Sequence, residues 1–152
     1  MKVASFALSR SLLLPLAVAA ASLRCGTGGT EPNLVDITGH WEFVEQFTDP
    51  AYRVTCADTG GYDIVQTANG FVGAYGQRGY CSGPGIGADN TDSGFVTEGH
   101  VVGRTIRFKA PNCDYDGRVH DGNDDHVSGH VACSIGDATI TYNFTGTWSA
   151  TR

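Results

Sequence analysis

The segment Ile37-Thr38-Gly39-His40-Trp41 near the start of the chain returns as Phe144-Thr145-Gly146-Thr147-Trp148 at its end. Matching apolar-Thr-Gly-x-Trp strands at opposite ends suit a sheet whose first and last strands meet, and a sheet closed on itself has no exposed edges. The alternation around both segments supports strands. Ala138, Ile140, Tyr142, Phe144, Gly146, Trp148 and Ala150 share one face, while Thr139, Thr141, Asn143, Thr145, Thr147, Ser149 and Thr151 share the other. One face is apolar and the other hydroxyl-rich, as in a sheet with one wet side. In the first strand Ile37, Gly39, Trp41, Phe43 and Phe47 lie on one side, which Glu45 interrupts. No window carries a helical period. The pattern predicts an all-β fold, an antiparallel up-and-down meander of eight or nine strands closed into a barrel, with a two-sheet β-sandwich as the alternative.

Turn signals divide the middle of the chain. Asn69-Gly70 separates Tyr62–Ala68 from Phe71–Tyr80, and Gly103-Arg104 separates Phe95–Val102 from Thr105–Lys109. The second of these predicts Val101 opposite Ile106 and Gly99 opposite Phe108. Thr48-Asp49-Pro50-Ala51, Asp121 to Asp125 and Ser134-Ile135-Gly136-Asp137 are further turns. Ser82 to Ser93, rich in glycine and aspartate, reads as the longest loop, a lid or a plain crossover.

The chain has five cysteines, four of them within the strands. A hairpin symmetric about Asn123 sets Cys113 opposite Cys133, Tyr115 opposite Val131, Gly117 opposite Gly129 and Val119 opposite Val127. That register predicts a Cys113–Cys133 disulfide. Cys56 and Cys81, at the outer ends of the strands flanking Asn69-Gly70, then form the second bridge.

The N-terminus reads as an export signal. Lys2 and Arg10 precede and flank the apolar run Leu12 to Ala21, which is short for a bilayer span. The expected organisation is a signal peptide over 1–24, a flexible tether over 25–35 and a β-barrel domain over 36–152. Cleavage before Ser22 gives a periplasmic or secreted protein. Lipidation of Cys25, the odd cysteine, ahead of Gly26-Thr27-Gly28-Gly29, gives a lipoprotein of a bacterial cell envelope, although Arg24 departs from the small residue usual before a lipidated cysteine. Such an anchor is the one membrane contact expected. Removing residues 1–24 leaves 7 basic and 16 acidic residues, a net charge of −9. That charge argues against nucleic acid as a partner.

Gly39-His40-Trp41 on the first strand, the clean alternation, the glycine-rich meander and the terminal Arg152 together resemble the calycin barrels, both lipocalin-like and avidin-like. Lipocalins carry Gly-x-Trp on their first strand, with a last-strand arginine packed over the tryptophan. The resemblance implies that role for Arg152, which shares the inward parity of Trp148. The opening Ile37 to Trp41 is also similar to the start of avidin-type barrels.

Two chemistries compete for the function. An eight-stranded barrel is wide enough for one small ligand or for its own side chains. The inward candidates for a ligand are Trp41, Phe43, Glu45, Tyr115, Tyr142, Phe144 and Trp148, with Gly39, Gly117, Gly129 and Gly146 between them. An inward Glu45 requires a partner, whether Arg152, another basic residue, a wet cavity mouth or a ligand. The second chemistry is a metal site on the outward face of the Asp121 hairpin, where His120 is expected to face His126 and Asp116 to face His130. Asp121, Asn123 and Asp125 alternate like the start of a calcium loop but lack its glycine and distal glutamate. No nucleophile elbow, phosphate loop or His-Glu-x-x-His occurs, so no catalytic residue and no cofactor is expected. The resulting expectation is a non-enzymatic barrel that binds a small apolar or amphipathic ligand. The alternatives are an envelope interaction module with a filled core, whose protein partner the sequence does not identify, and a metal-dependent enzyme.

Overall fold

A computed structural model describes residues 34–136 and 138–152; the expected signal peptide and Cys25 lie outside them. Eight strands follow one another: β1 (Gly39–Asp49), β2 (Val54–Thr67), β3 (Gly70–Gly83), β4 (Ile86–Val102), β5 (Thr105–Ala110), β6 (Cys113–His120), β7 (Asn123–Gly136) and β8 (Thr141–Thr151). Each pairs antiparallel with the next, and β8 returns to β1 to close the barrel. The two Thr-Gly-x-Trp strands do meet, with Phe47 opposite Gly146 and Glu45 opposite Trp148. The meander closes into a barrel, so the two-sheet alternative falls.

Alternation sets the inside. Trp41, Phe43, Glu45, Phe47 and Asp49 of β1 are buried while their neighbours face water, and β8 buries Phe144, Trp148 and Ala150. Across the middle, Phe43 stacks on Tyr62 at 4.4 Å and Phe108 on Tyr115 at 4.6 Å, with Trp148 edge-on to Phe108 at 5.5 Å and to Tyr115 at 5.7 Å. The Trp148 indole N–H donates to the carbonyls of Asp116 and His130 at 3.1 Å each. Gly117 gives its ring room, since a Cβ there would meet the ring at 2.8 Å.

Besides Ser134 to Gly136, which end β7 rather than form a turn, four sequence expectations are corrected. Ser82 to Ser93 is strand rather than loop: β3 and β4 continue to Gly83 opposite Ile86 and turn on Pro84-Gly85, with Gly85 at φ 75°. Proline presets the first turn position and glycine accepts the positive φ of the second. The β2–β3 turn is Ala68-Asn69, with Thr67 opposite Gly70 and Ala68 at φ 53°. A turn at Asn69-Gly70 would set Cys56 opposite Gly83; the shorter register sets it opposite Cys81, and the disulfide forms there. Val101 does face Ile106, but the register shifts between Thr97 and His100, so the Gly99–Phe108 pair gives way to a β-bulge with Glu98 at φ 52°. The fourth correction is at the β6–β7 turn. Cys113 to Val119 keep the expected register and the Cys113–Cys133 disulfide forms, but His120 then pairs with Asn123 rather than His126.

The strands leave two unlike ends. One carries the β2–β3, β4–β5 and β6–β7 turns, the start of β1 and the end of β8. The other carries the β1–β2, β3–β4, β5–β6 and β7–β8 turns. Towards this second end β5 pairs with β4 only over Thr97–Val102, so Ile86–Val96 is laddered to β3 alone.

Candidate functional site

The end where β1 starts and β8 finishes is shut. Val35, assigned by sequence to the tether, is buried there with Ile37 and Trp41. Gln66 ties the entering chain down: its Oε1 accepts from Ile37 N at 2.9 Å and its Nε2 donates to Val35 O at 3.2 Å. The Arg152 guanidinium lies 4.9 Å over the Trp41 ring, donates to the carbonyls of Asp36 and Thr38 and meets Asp125 at 2.9 Å. This is the contact that the resemblance implies. It also removes Arg152 as a partner for Glu45. Inside this end only about 20 Å³ is empty, bordered by Ile37, Trp41, Tyr62, Ile64 and Trp148 among others. Trp41 and Trp148 are therefore core, and Phe43 stacks beside them on Tyr62.

The opposite end holds two adjoining cavities. One, of about 310 Å³, is polar and bordered by Glu45, Tyr75, Gln77, Asn90, Asp92 and Tyr115, with Pro111 and Asn112 of the β5–β6 turn at its rim. The other, of about 280 Å³, is largely apolar, with Val54, Ile86, Tyr142 and Phe144 in its wall. Phe47, Asn90 and Ile135 belong to both. Of the residues expected in the lumen, Glu45 and Tyr115 face the polar cavity and Tyr142 and Phe144 the apolar one. Two broader, more open hollows of about 950 Å³ border the barrel wall, one reaching from His40 and Phe43 to Arg78 and Asp92, the other from Glu45 and Asp58 to Arg118 and Trp148.

The polar cavity concentrates buried acid. Glu45 is 5% exposed and takes a hydrogen bond from Tyr115 Oη at 3.0 Å. Burial pushes its carboxyl up to about 7, against the Tyr115 bond and with help from Asp58. Asp58, opposite Glu45 on β2, is 1% exposed, and burial raises its carboxyl too. Gln77 Nε2 at 3.1 Å and Asn90 Nδ2 at 2.7 Å donate to Asp58 Oδ2, while Oδ1 is buried with no hydrogen-bond partner. Tyr75 Oη donates to Asp92 Oδ2 at 2.7 Å. Burial raises the phenols of Tyr62, Tyr75 and Tyr115, which therefore stay protonated donors.

Sequence reasoning did not find Asp58, Tyr75, Gln77, Asn90 or Asp92. Asp58, Tyr75 and Gln77 have inward parity with Cys56, Tyr62 and Phe71, which a reading of β2 and β3 like that of β1 would have shown. Asn90 and Asp92 lay in the presumed loop, where no parity was read.

The histidine hairpin assembles only in part. The His120 and His126 rings touch, with centroids 4.0 Å apart, although their backbones are out of register. His120 Nε2 meets Ser128 Oγ at 2.9 Å, and Asp116 pairs with His130 as expected. Among the described residues no three His, Cys, Asp or Glu are placed to hold a metal ion. The acids of the turn are engaged by arginines: Asp121 by Arg104 and Arg118, Asp124 by Arg104 and Asp125 by Arg152.

No family model matches the chain, and no curated protein is similar to it in sequence. Among solved structures the barrel is similar to an S-type phycobiliprotein lyase, CPES, from Guillardia theta. The two share 9% identity over 76% of this chain and 88% of that one, with a TM-score of 0.46. The chain itself is an eight-stranded antiparallel up-and-down barrel, filled at one end and hollow at the other.

Proposed function

We propose that this barrel is an exported, non-enzymatic binding protein that takes one small amphipathic ligand at its hollow end. The observation that carries the reading is the junction of a polar and an apolar cavity across Phe47, Asn90 and Ile135, beside a core packed almost without voids. Each cavity is near the lower size of small-molecule sites, and together they offer a head and a tail compartment. The tether, shortened to end before the buried Val35, and the lipid anchor on Cys25 belong to this proposal, as does the export signal. Two disulfides fit an oxidising compartment.

The test is a native mass spectrum of protein purified gently from its own host. A bound small mass that leaves on denaturation is the expected result; a bare polypeptide mass, together with no binding of amphiphiles added back, overturns the reading. Glu45 favours a second reading, since a cavity carboxyl near pH 7 beside a tyrosine is also what a general acid or base requires. Recovery of the bound compound chemically changed after incubation favours that reading; recovery unchanged favours the carrier.

A further inference from the structure

The chemistry of the polar cavity narrows the ligand class, an inference that rests on the binding reading above. Every charged side chain bordering the two cavities is an acid: Glu45, Asp92 and Asp89; no lysine, arginine or histidine borders either. The nearby donors are turned onto these acids. Tyr115 serves Glu45, Tyr75 serves Asp92, and the amide nitrogens of Gln77 and Asn90 serve Asp58. What the wall offers a guest is chiefly hydrogen-bond acceptance and negative charge.

A cluster of acids on a surface would mean little, but here one oxygen is stranded. A Cβ on Gly79, at an inward position of β3, would collide with Asp58 Oδ1. That oxygen therefore lies over Gly79, buried and without a donor, behind Gln77 and Asn90, which bond the other Asp58 oxygen and line the polar cavity that Asp58 itself does not reach. Leaving a buried carboxylate oxygen unpaired is unfavourable. Asp49 shows how this barrel treats a buried acid it needs only for structure: the backbone N–H groups of Ala51, Tyr52 and Asn143 bind its two oxygens.

We propose that the ligand is an organic amine, its ammonium held near Glu45 and Asp92 with Asp58 behind them, and its apolar part lying along Phe47, Ile135, Tyr142 and Phe144. The acceptors are spread over β1, β2, β3 and β4 and do not converge in the way a bare metal ion requires. An ammonium with three divergent N–H donors suits them. The groups facing Glu45 are Asp58 and Tyr62 from β2, Tyr75 from β3 and Tyr115 from β6. None is a cation, so binding strengthens as pH rises from 5 to 8 and Glu45 ionises.

The experiment is calorimetric titration of the purified protein at pH 8 with octylamine, octan-1-ol and octanoate, three probes of one chain length that differ in head charge. Octylamine is expected to bind about tenfold tighter than octanol, and octanoate weakest. Glu45→Gln and Asp92→Asn each remove most of the octylamine advantage and leave octanol unchanged. Asp92→Asn, at an exposed rim position, carries the test if Glu45→Gln does not fold. Equal affinity for octylamine and octanol, or a preference for octanoate, overturns the amine proposal and leaves the carrier reading standing. No binding of any probe, with a bare native mass, overturns both.

Discussion

The two ends of this barrel are held by different forces. The end where β1 starts and β8 finishes is held by packing: Trp41, Tyr62, Ile106, Phe108 and Trp148 leave almost no void, and Arg152 and Gln66 close it over. The hollow end has less core, and both disulfides stand there, Cys56–Cys81 across β2 and β3 and Cys113–Cys133 across β6 and β7. Covalent cross-links stabilise mainly by restricting the unfolded chain, so they need no filled interior. A barrel that must keep one end empty can thus stay folded by moving its stability out of packing and into bonds.

The comparison can be broken first at the packed end. Phe108→Ala is expected to cost about 3–5 kcal/mol in denaturant unfolding, whereas Tyr142→Ala, half-buried at the mouth, costs under about 1.5 kcal/mol. Equal costs would erase the distinction between the ends. Removing Cys56–Cys81 by paired alanines is expected to cost about 2–4 kcal/mol. Hydrogen exchange should then rise in β2, β3 and β4 near the mouth more than around Trp41.

Glu45 sharpens the comparison through pH. Burial pushes its folded carboxyl up to about 7 from an ordinary 4.5, so the unfolded chain ionises first. Stability from this group is full below about pH 4.5 and declines until about pH 7, by about 3 kcal/mol in total. Asp58, raised in the same direction, adds to that decline. Asp49 has the opposite sign: burial opposes its charge, but the three backbone donors hold its carboxyl below the usual range, so its contribution is lost as pH falls. Glu45→Gln should flatten the fall between pH 4.5 and 7, which chemical unfolding across that range would read. The smallest effect is expected at the closure: Arg152→Ala loses the Trp41 contact and carbonyl bonds for about 1–2 kcal/mol. Melting curves with and without the probe amine should show that this loss leaves ligand affinity unchanged.

Much of the barrel was legible in sequence because it depends on repetition. Alternation placed Trp41, Phe43, Phe144 and Trp148 inside, and hairpin symmetry found Cys113–Cys133. The hollow end was less legible. Asp89, Asn90 and Asp92 have low strand propensity, yet pairing with β3 along its length makes them strand. The bulge at Glu98 and the three-residue shift before His120 are local slips that alternation does not announce. Glu45 was visible as an anomaly, but its relation to Asp58 depends on β1–β2 register, which no turn near Thr48-Asp49-Pro50-Ala51 fixed in advance.

The incomplete ladder between β4 and β5 has a consequence for what can enter. Along Ile86–Val96 the wall is hydrogen-bonded on one side only, next to the Pro111-Asn112 turn and the polar cavity. The hollow's wall is therefore tied less firmly along this flank, where the Pro111 ring packs near Gly94 in place of a neighbouring strand. In the binding reading, a guest longer than the pouch need not coil up to fit: with its head at Glu45 and its tail along Tyr142 and Phe144 towards the mouth, this flank can give way without breaking a ladder on its β5 side. Selection by this protein would then act on the head of a molecule and be tolerant of its length.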